Sequence, residues 1–188
     1  MQNPLYISPE SKTKLLEFQA LVLKWQKKIN LISNSTISDF WNRHILDSIQ
    51  LQNYFSKKEM FFDLGSGGGF PAIPLSILGY KIALIESDQR KAIFLKEAIR
   101  KLNLDAKVLV KRVEEIAFPE YSIITARAFA PLERILKWLK PSKNMTLILL
   151  KGKNTDEEIK TAQEKHNFKY TVNKSLVGQE GKIIKITF

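Results

Sequence analysis

Near the start of the chain, apolar residues recur at Leu15, Phe18, Val22, Trp25, Ile29 and Ile32, at spacings of three and four. That period draws one stripe down a helix. Ser8 offers an N-cap, Pro9 a first helical position and Glu10 a first-turn acid. Ile37, Trp41, Ile45 and Ile49 repeat every four residues and predict a second helix from about Thr36 to Tyr54. From Met60 the pattern changes. Short apolar runs, FFDLG (61–65), KIALIE (81–86), KVLV (107–110), SIITA (122–126) and TLILLK (146–151), read as strands. Helical patterns at about 71–78, 88–103, 131–140 and 155–166 separate them. Alternation of this kind means crossover units and a mainly parallel sheet, an α/β fold. The tail differs: KYTVNKSLV and KIIKITF flank the turn GQEG and predict a closing antiparallel hairpin. The chain thus divides into an N-terminal helical extension, 1–59, and a core, 60–188. With no linker between them, the extension is expected to pack on the core.

Composition narrows the chemistry. The 188 residues contain no cysteine, which excludes disulfides, thiolate metal sites, iron–sulfur clusters and a thiol nucleophile. Pro4, Pro9 and Glu10 interrupt the apolar core that a signal peptide needs, and no apolar run is long enough to span a bilayer. The expectation is a cytoplasmic protein without membrane contact. Lys and Arg number 30 against 19 Asp and Glu, a net charge of +11 spread along the chain. A basic folded surface of this kind attracts polyanions, nucleic acid above all.

Four glycines lie between residues 65 and 69, after a predicted strand and before a predicted helix that Pro71 would open. Asp63-x-Gly65-x-Gly67-x-Gly69 lets the chain turn tightly and a ligand touch the backbone. A nucleoside triphosphate loop would carry Gly-Lys-Ser/Thr, and no lysine occurs between residues 59 and 81. A dinucleotide loop would place glycine at position 70, where Phe70 stands. A nucleoside bearing an amino acid, S-adenosylmethionine, suits a loop without cations. Asp63 would take its ammonium, directly or through water. Glu86 closes the next strand, 21 positions after Gly65, where a carboxylate accepts both ribose hydroxyls. That also suits a nicotinamide dinucleotide. Val113 and Glu114 follow the third strand and are placed to frame an adenine.

The methyl acceptor is bounded by what is missing. Pyrimidine C5 methylation through a thiol adduct has no cysteine to use. The Asn/Asp-Pro-Pro-aromatic turn of exocyclic-amine methylation is replaced by Thr125 to Pro131. Guanine N7 carries no proton and needs no base, only placement in line with the methyl group. Arg127 is placed to reach guanine O6; a structural ion pair is its other reading. Arg43 and Asp47 are spaced to pair on the second helix. His44 either packs beside Phe40 and Trp41 or borders the acceptor pocket. Arg134, Lys137, Lys140, Lys143, Lys151 and Lys153 form an acid-free cationic stretch; of these, Arg134, Lys137, Lys140 and Lys151 are the expected RNA-binding residues.

NLI at 30–32, RHILDS at 43–48, DLGSGGGFPAIPL at 63–75, IESDQRKAIFL at 85–95, RVEE at 112–115, RAFAPL at 127–132 and LLKG at 149–152 occur in one order. Together they closely resemble the glucose-inhibited division protein B family, over nearly the full length. The resemblance implies a bacterial methyltransferase acting on guanine N7 of 16S ribosomal RNA. It implies a seven-stranded, Rossmann-like class I methyltransferase core with an N-terminal helical extension, and cofactor binding by Gly65, Phe70, Val113, Glu114 and Arg127. Ala126 and Ser122 stand where relatives usually carry serine and an acid. The expected substrate is 16S rRNA or the small ribosomal subunit, and the expected state a monomer. The alternatives are a methyltransferase for a protein or small molecule, a non-catalytic RNA-binding or division-linked adaptor, and a nicotinamide oxidoreductase, which Phe70 disfavours.

Overall fold

The computed structural model describes residues 5–188; Pro4, one of the interruptions in the apolar start, lies outside them. Helix α1 spans Pro9–Gln26, with the Ser8 hydroxyl accepting from the Ser11 amide at 3.1 Å. Its stripe buries Leu15, Phe18 and Val22. The expected second helix is not one helix. Asn34–Thr36 make a 3₁₀ turn, Trp41–Leu46 a wide π turn, Asp47–Ile49 a single α turn (α2) and Gln50–Tyr54 another 3₁₀ turn. The apolar repeat survives while the winding changes around His44, and such wide turns gather at functional sites.

Seven strands follow in one sheet: β1 Met60–Leu64, β2 Lys81–Ile85, β3 Ala106–Leu109, β4 Ile123–Arg127, β5 Thr146–Lys151, β6 Lys169–Lys174 and β7 Lys182–Thr187. Their spatial order is β3-β2-β1-β4-β5-β7-β6. The five-strand core is parallel; β7 pairs antiparallel with both β5 and β6. Helices α3 Ala72–Ile77, α4 Gln89–Leu102, α5 Leu132–Leu139 and α6 Thr155–Gln163 connect them. Pro71 immediately precedes α3 rather than opening it.

Alternate residues of a strand enter opposite cores. Phe61, Ile82 and Leu84 pack with α1, α3 and α4; Phe62, Leu64, Ala83 and Ile85 pack with α5 and α6. Both faces are covered, so the strands read as unbroken apolar runs rather than alternations. Phe18 of α1 meets Phe70 and Phe94, ring centroids 5.3 and 6.4 Å away, and so fixes the N-terminal extension on the sheet unit. The order reverses between β1 and β4, and a crevice opens beyond their carboxyl ends, the usual place for a ligand in such sheets. Among the described residues, no helix is long and apolar enough to cross a membrane.

Candidate functional site

The loop after β1 turns through residues with positive φ, Gly65 (+59°), Gly67 (+51°) and Gly69 (+84°), a conformation that side chains rarely adopt. Gly68 is bare for another reason: a Cβ there would lie 2.8 Å from the Leu31 carbonyl oxygen of the extension. Glu86, buried at the end of β2, holds the loop from its far side. One carboxylate oxygen accepts from the Gly67 amide at 2.8 Å, the other from the Asp88 amide at 2.8 Å. Gly65, Gly67, Glu86, Val113 and Glu114, all expected at the cofactor, come together around a cavity of about 330 Å³, with Trp138 on its wall. Asp63 lies elsewhere. It is wholly buried in β1, and neither carboxylate oxygen has a partner. Thr125, its register partner on β4, also has an unpaired hydroxyl. Burial pushes the Asp63 carboxyl up to about 8, against the pull of the Arg127 charge and with the repulsion of Glu86.

Phe70 and Arg127 line a second, larger cavity of about 1090 Å³, together with Arg43, His44 and Asp47. Arg127 leaves the carboxyl end of β4 into a closed set of partners. Nη1 donates to the Arg43 carbonyl at 2.8 Å and approaches the Asp47 carboxylate at 3.4 Å. Nη2 lies 2.9 Å from His44 Nδ1, and the guanidinium carbon sits 4.9 Å from the centre of the Phe70 ring. A guanidinium only donates, so His44 Nδ1 must accept and its proton sits on Nε2. Nε2 then donates to Thr36 Oγ1 at 2.8 Å, which donates to the Ser33 carbonyl at 2.6 Å. Burial, then the charges of Arg127 and Arg43, push the His44 pKa down to about 3. Burial also lowers the Arg127 pKa, with Asp47 opposing it.

His44 packs on Phe40, centroids 5.1 Å apart, as its first sequence reading expects, and it also lines the large cavity. Asp47 pairs with Arg127 rather than with Arg43. Its other oxygen accepts from Gln50 at 2.8 Å and from Ser175 at 3.3 Å, while Gln50 accepts from the Leu176 amide at 2.8 Å. Sequence reasoning missed this link between the extension and the hairpin turn, because nothing local marks it. Lys151 also lines the large cavity, but its ammonium is held by Glu158 and the Ala130 carbonyl, both at 2.6 Å. Arg134 lies over Trp138 at 5.8 Å; Lys137 and Lys140 are exposed, Lys140 at the end of α5 remote from the crevice. Among the described residues, no three His, Asp or Glu side chains group as a metal site would need.

Comparison with known proteins fits this arrangement. The profile of the GidB family, rRNA small subunit methyltransferase G, matches residues 11–187. Ribosomal RNA small subunit methyltransferase G of Rickettsia akari (strain Hartford) is 46% identical over 184 residues, 96% of each chain. The protein of the same name from Rickettsia felis is 46% identical over 177 residues, 93% of this chain and 92% of the relative. Among solved structures, a SAM dependent methyltransferase from Aquifex aeolicus superposes with a TM-score of 0.62 at 17% identity, covering 89% of this chain and 97% of that one. At that identity the likeness concerns the fold. The sequence matches go further, since they run through the extension, the glycine loop and the RAFAPL turn alike: the chain belongs to the GidB family, rRNA small subunit methyltransferase G.

Proposed function

We propose that the protein transfers a methyl group to N7 of a guanosine in 16S rRNA of the small ribosomal subunit, acting as a monomer in the cytoplasm. The sulfonium of S-adenosyl-L-methionine supplies the methyl group, leaving S-adenosyl-L-homocysteine. The residues present fit that cofactor. The glycine cradle carries no cation, and Asp63, buried in β1 behind it, is a carboxyl whose oxygens have no partner. Glu86 spends one lone pair on the Gly67 amide and one, from its other oxygen, on the Asp88 amide, so both oxygens retain capacity for a ribose hydroxyl.

The observation that carries the choice of N7 is the state of His44. Its Nδ1 lone pair is already bonded by Arg127, and its other nitrogen carries a proton. Around Arg127, then, the imidazole offers no free lone pair and the Asp47 carboxylate is paired, which suits an acceptor atom that has no proton to lose. Arg127 uses three of its five N–H groups on Arg43, Asp47 and His44. Nε–H and one Nη2–H remain to hold guanine O6 while N7 is left open. Residues of this chain therefore orient and neutralise, and proton transfer plays no part.

The test is to incubate the pure protein with 16S rRNA or small subunits and labelled donor, then map the product base. Methyl on guanine N7 of the rRNA is expected; methyl on another base, or on protein alone, rejects the assignment. Calorimetry with S-adenosylhomocysteine separates the adaptor reading, which does not require that compound to bind.

A further inference from the structure

The residues assigned to the cofactor, Asp63 apart, fall into two cavities. Glu86, Val113 and Glu114 line the small one, Phe70 and Arg127 the large one, and Gly65 and Gly67 line both. A single ligand that touches both sets must cross Gly65. Phe129 covers that crossing. A Cβ built on Gly65 would meet the Phe129 ring at 2.2 and 2.5 Å, so the aromatic ring lies directly on the bare backbone of the loop. Phe129 also lines both cavities. On the small-cavity side its ring is backed by Trp138, centroids 5.5 Å apart. Ala128, exposed and at φ +50°, holds a left-handed conformation that is strained for a residue with a Cβ. That reversal sends Arg127 toward His44 and folds Phe129 back over the glycines.

We propose that Phe129 is a positioning residue for methyl transfer: the cofactor displaces its ring from Gly65 into the large cavity, where it gives the target base a face to stack on. The proposal rests on the methyltransferase reading of the site. Trp138 blocks retreat toward the small cavity, which leaves the large one. The other aromatic faces there are engaged, Phe70 by Arg127 and His44, and His44 by Phe40 and Phe70. Enzymes that act on a base take it out of its stack and read it between aromatic or apolar side chains. The consequence is an order of events. The seat for the base is completed only when the place over Gly65 is taken, so cofactor and RNA bind cooperatively.

The measurement is the affinity of the wild type for 16S rRNA or small subunits, whichever it methylates, with and without saturating S-adenosylhomocysteine. Binding about tenfold tighter with the homocysteine is expected, within what one stacked base contributes. Phe129→Leu keeps the bulk and loses the aromatic face. It should bind S-adenosylhomocysteine within about threefold of wild type and show no cooperativity. Phe129→Tyr should restore it. Equal RNA affinity in the two conditions for wild type, or full cooperativity in the leucine variant, overturns the role of Phe129. Wild-type protein that methylates rRNA normally without cooperativity loses this inference alone, whereas protein that methylates neither substrate loses the functional reading itself.

Discussion

At the scale of single residues, Arg127 organises the wall of the large cavity because its fork joins the Arg43 carbonyl, Asp47 and His44 at once. Arg127→Ala removes all three bonds and leaves the half-buried Asp47 carboxylate short of its cation. Methylation kcat/KM should fall by about a hundredfold, the usual cost of losing alignment at a reacting centre. Arg127→Lys should recover little, since a point charge cannot fork. Asp63 makes a different prediction. Folded, its carboxyl holds a proton up to about pH 8; unfolded, it releases that proton near the ordinary value of 3.8. The folded chain therefore binds more protons across that window, and the contribution of Asp63 to stability is lost as pH rises through it. Asp63→Asn, which mimics the protonated form, should melt progressively higher than wild type between about pH 5 and 8.5; thermal unfolding of both chains across that range measures the gap. Gly65, Gly67, Glu86, Val113 and Glu114 were legible in the sequence because each sits at or just after a strand end, and parallel strands bring those ends to one edge. Asp47 was not legible as a link. Its partners Arg127 and Ser175 stand 80 and 128 positions away, and its spacing from Arg43 suggested a local pair that the structure does not form.

At the scale of elements, one side chain ties the end of α1 to the segment of the N-terminal extension that meets the glycine loop. Gln26, the last residue of α1, accepts from the Leu31 amide at 2.8 Å and the Ile32 amide at 3.0 Å, and donates to the Ile32 carbonyl at 2.8 Å. It thereby fixes the segment whose Leu31 carbonyl abuts Gly68 and whose Ser33 and Thr36 buttress His44. Gln26→Ala strands two amides and one carbonyl, at a cost of about 1–3 kcal/mol. Hydrogen exchange should quicken at Leu31 and Ile32 while the amides of Phe18 and Val22 keep their protection; uniform quickening would mean that α1 itself had loosened. The same region shows where sequence patterning stops. Period alone located α1, the strands and the hairpin, because burial dictates those periods. It cannot distinguish an α turn from a π turn, since both place an apolar residue inward about every fourth position. The breaks between residues 34 and 54 follow instead from tertiary hydrogen bonds, made by Thr36 to His44 and by Gln50 to the hairpin turn.

For the whole molecule, a charge of +11 is useful only where it faces the substrate. Two of the lysines at the large cavity are already neutralised, Lys151 by Glu158 and Lys182 by Asp156 at 2.7 Å. Arg43, Lys91 and Lys153 line the same mouth, and Lys91 continues toward Lys27 and Lys28 at the end of α1. A track of cations thus runs from the β5 end of the crevice across the glycine loop to the extension. The α5 cations offer a second track, which descends from the crevice mouth to the opposite edge of the sheet, because α5 returns the chain from the end of β4 to the start of β5. Salt separates them. Removing one cation that pairs with a phosphate should lower the slope of log affinity against log salt by about one. Replacing Lys91 and Lys153 together by glutamine should flatten the slope for rRNA binding by about two. Replacing Lys137 and Lys140 together should change it by less than about one, because Lys140 lies at the remote end of its helix. S-adenosylhomocysteine affinity should hardly move with salt in any of these chains, since that ligand brings no phosphate. Equal flattening by the two pairs would instead place the RNA along both faces, and a larger effect from the α5 pair would move its track off the crevice mouth.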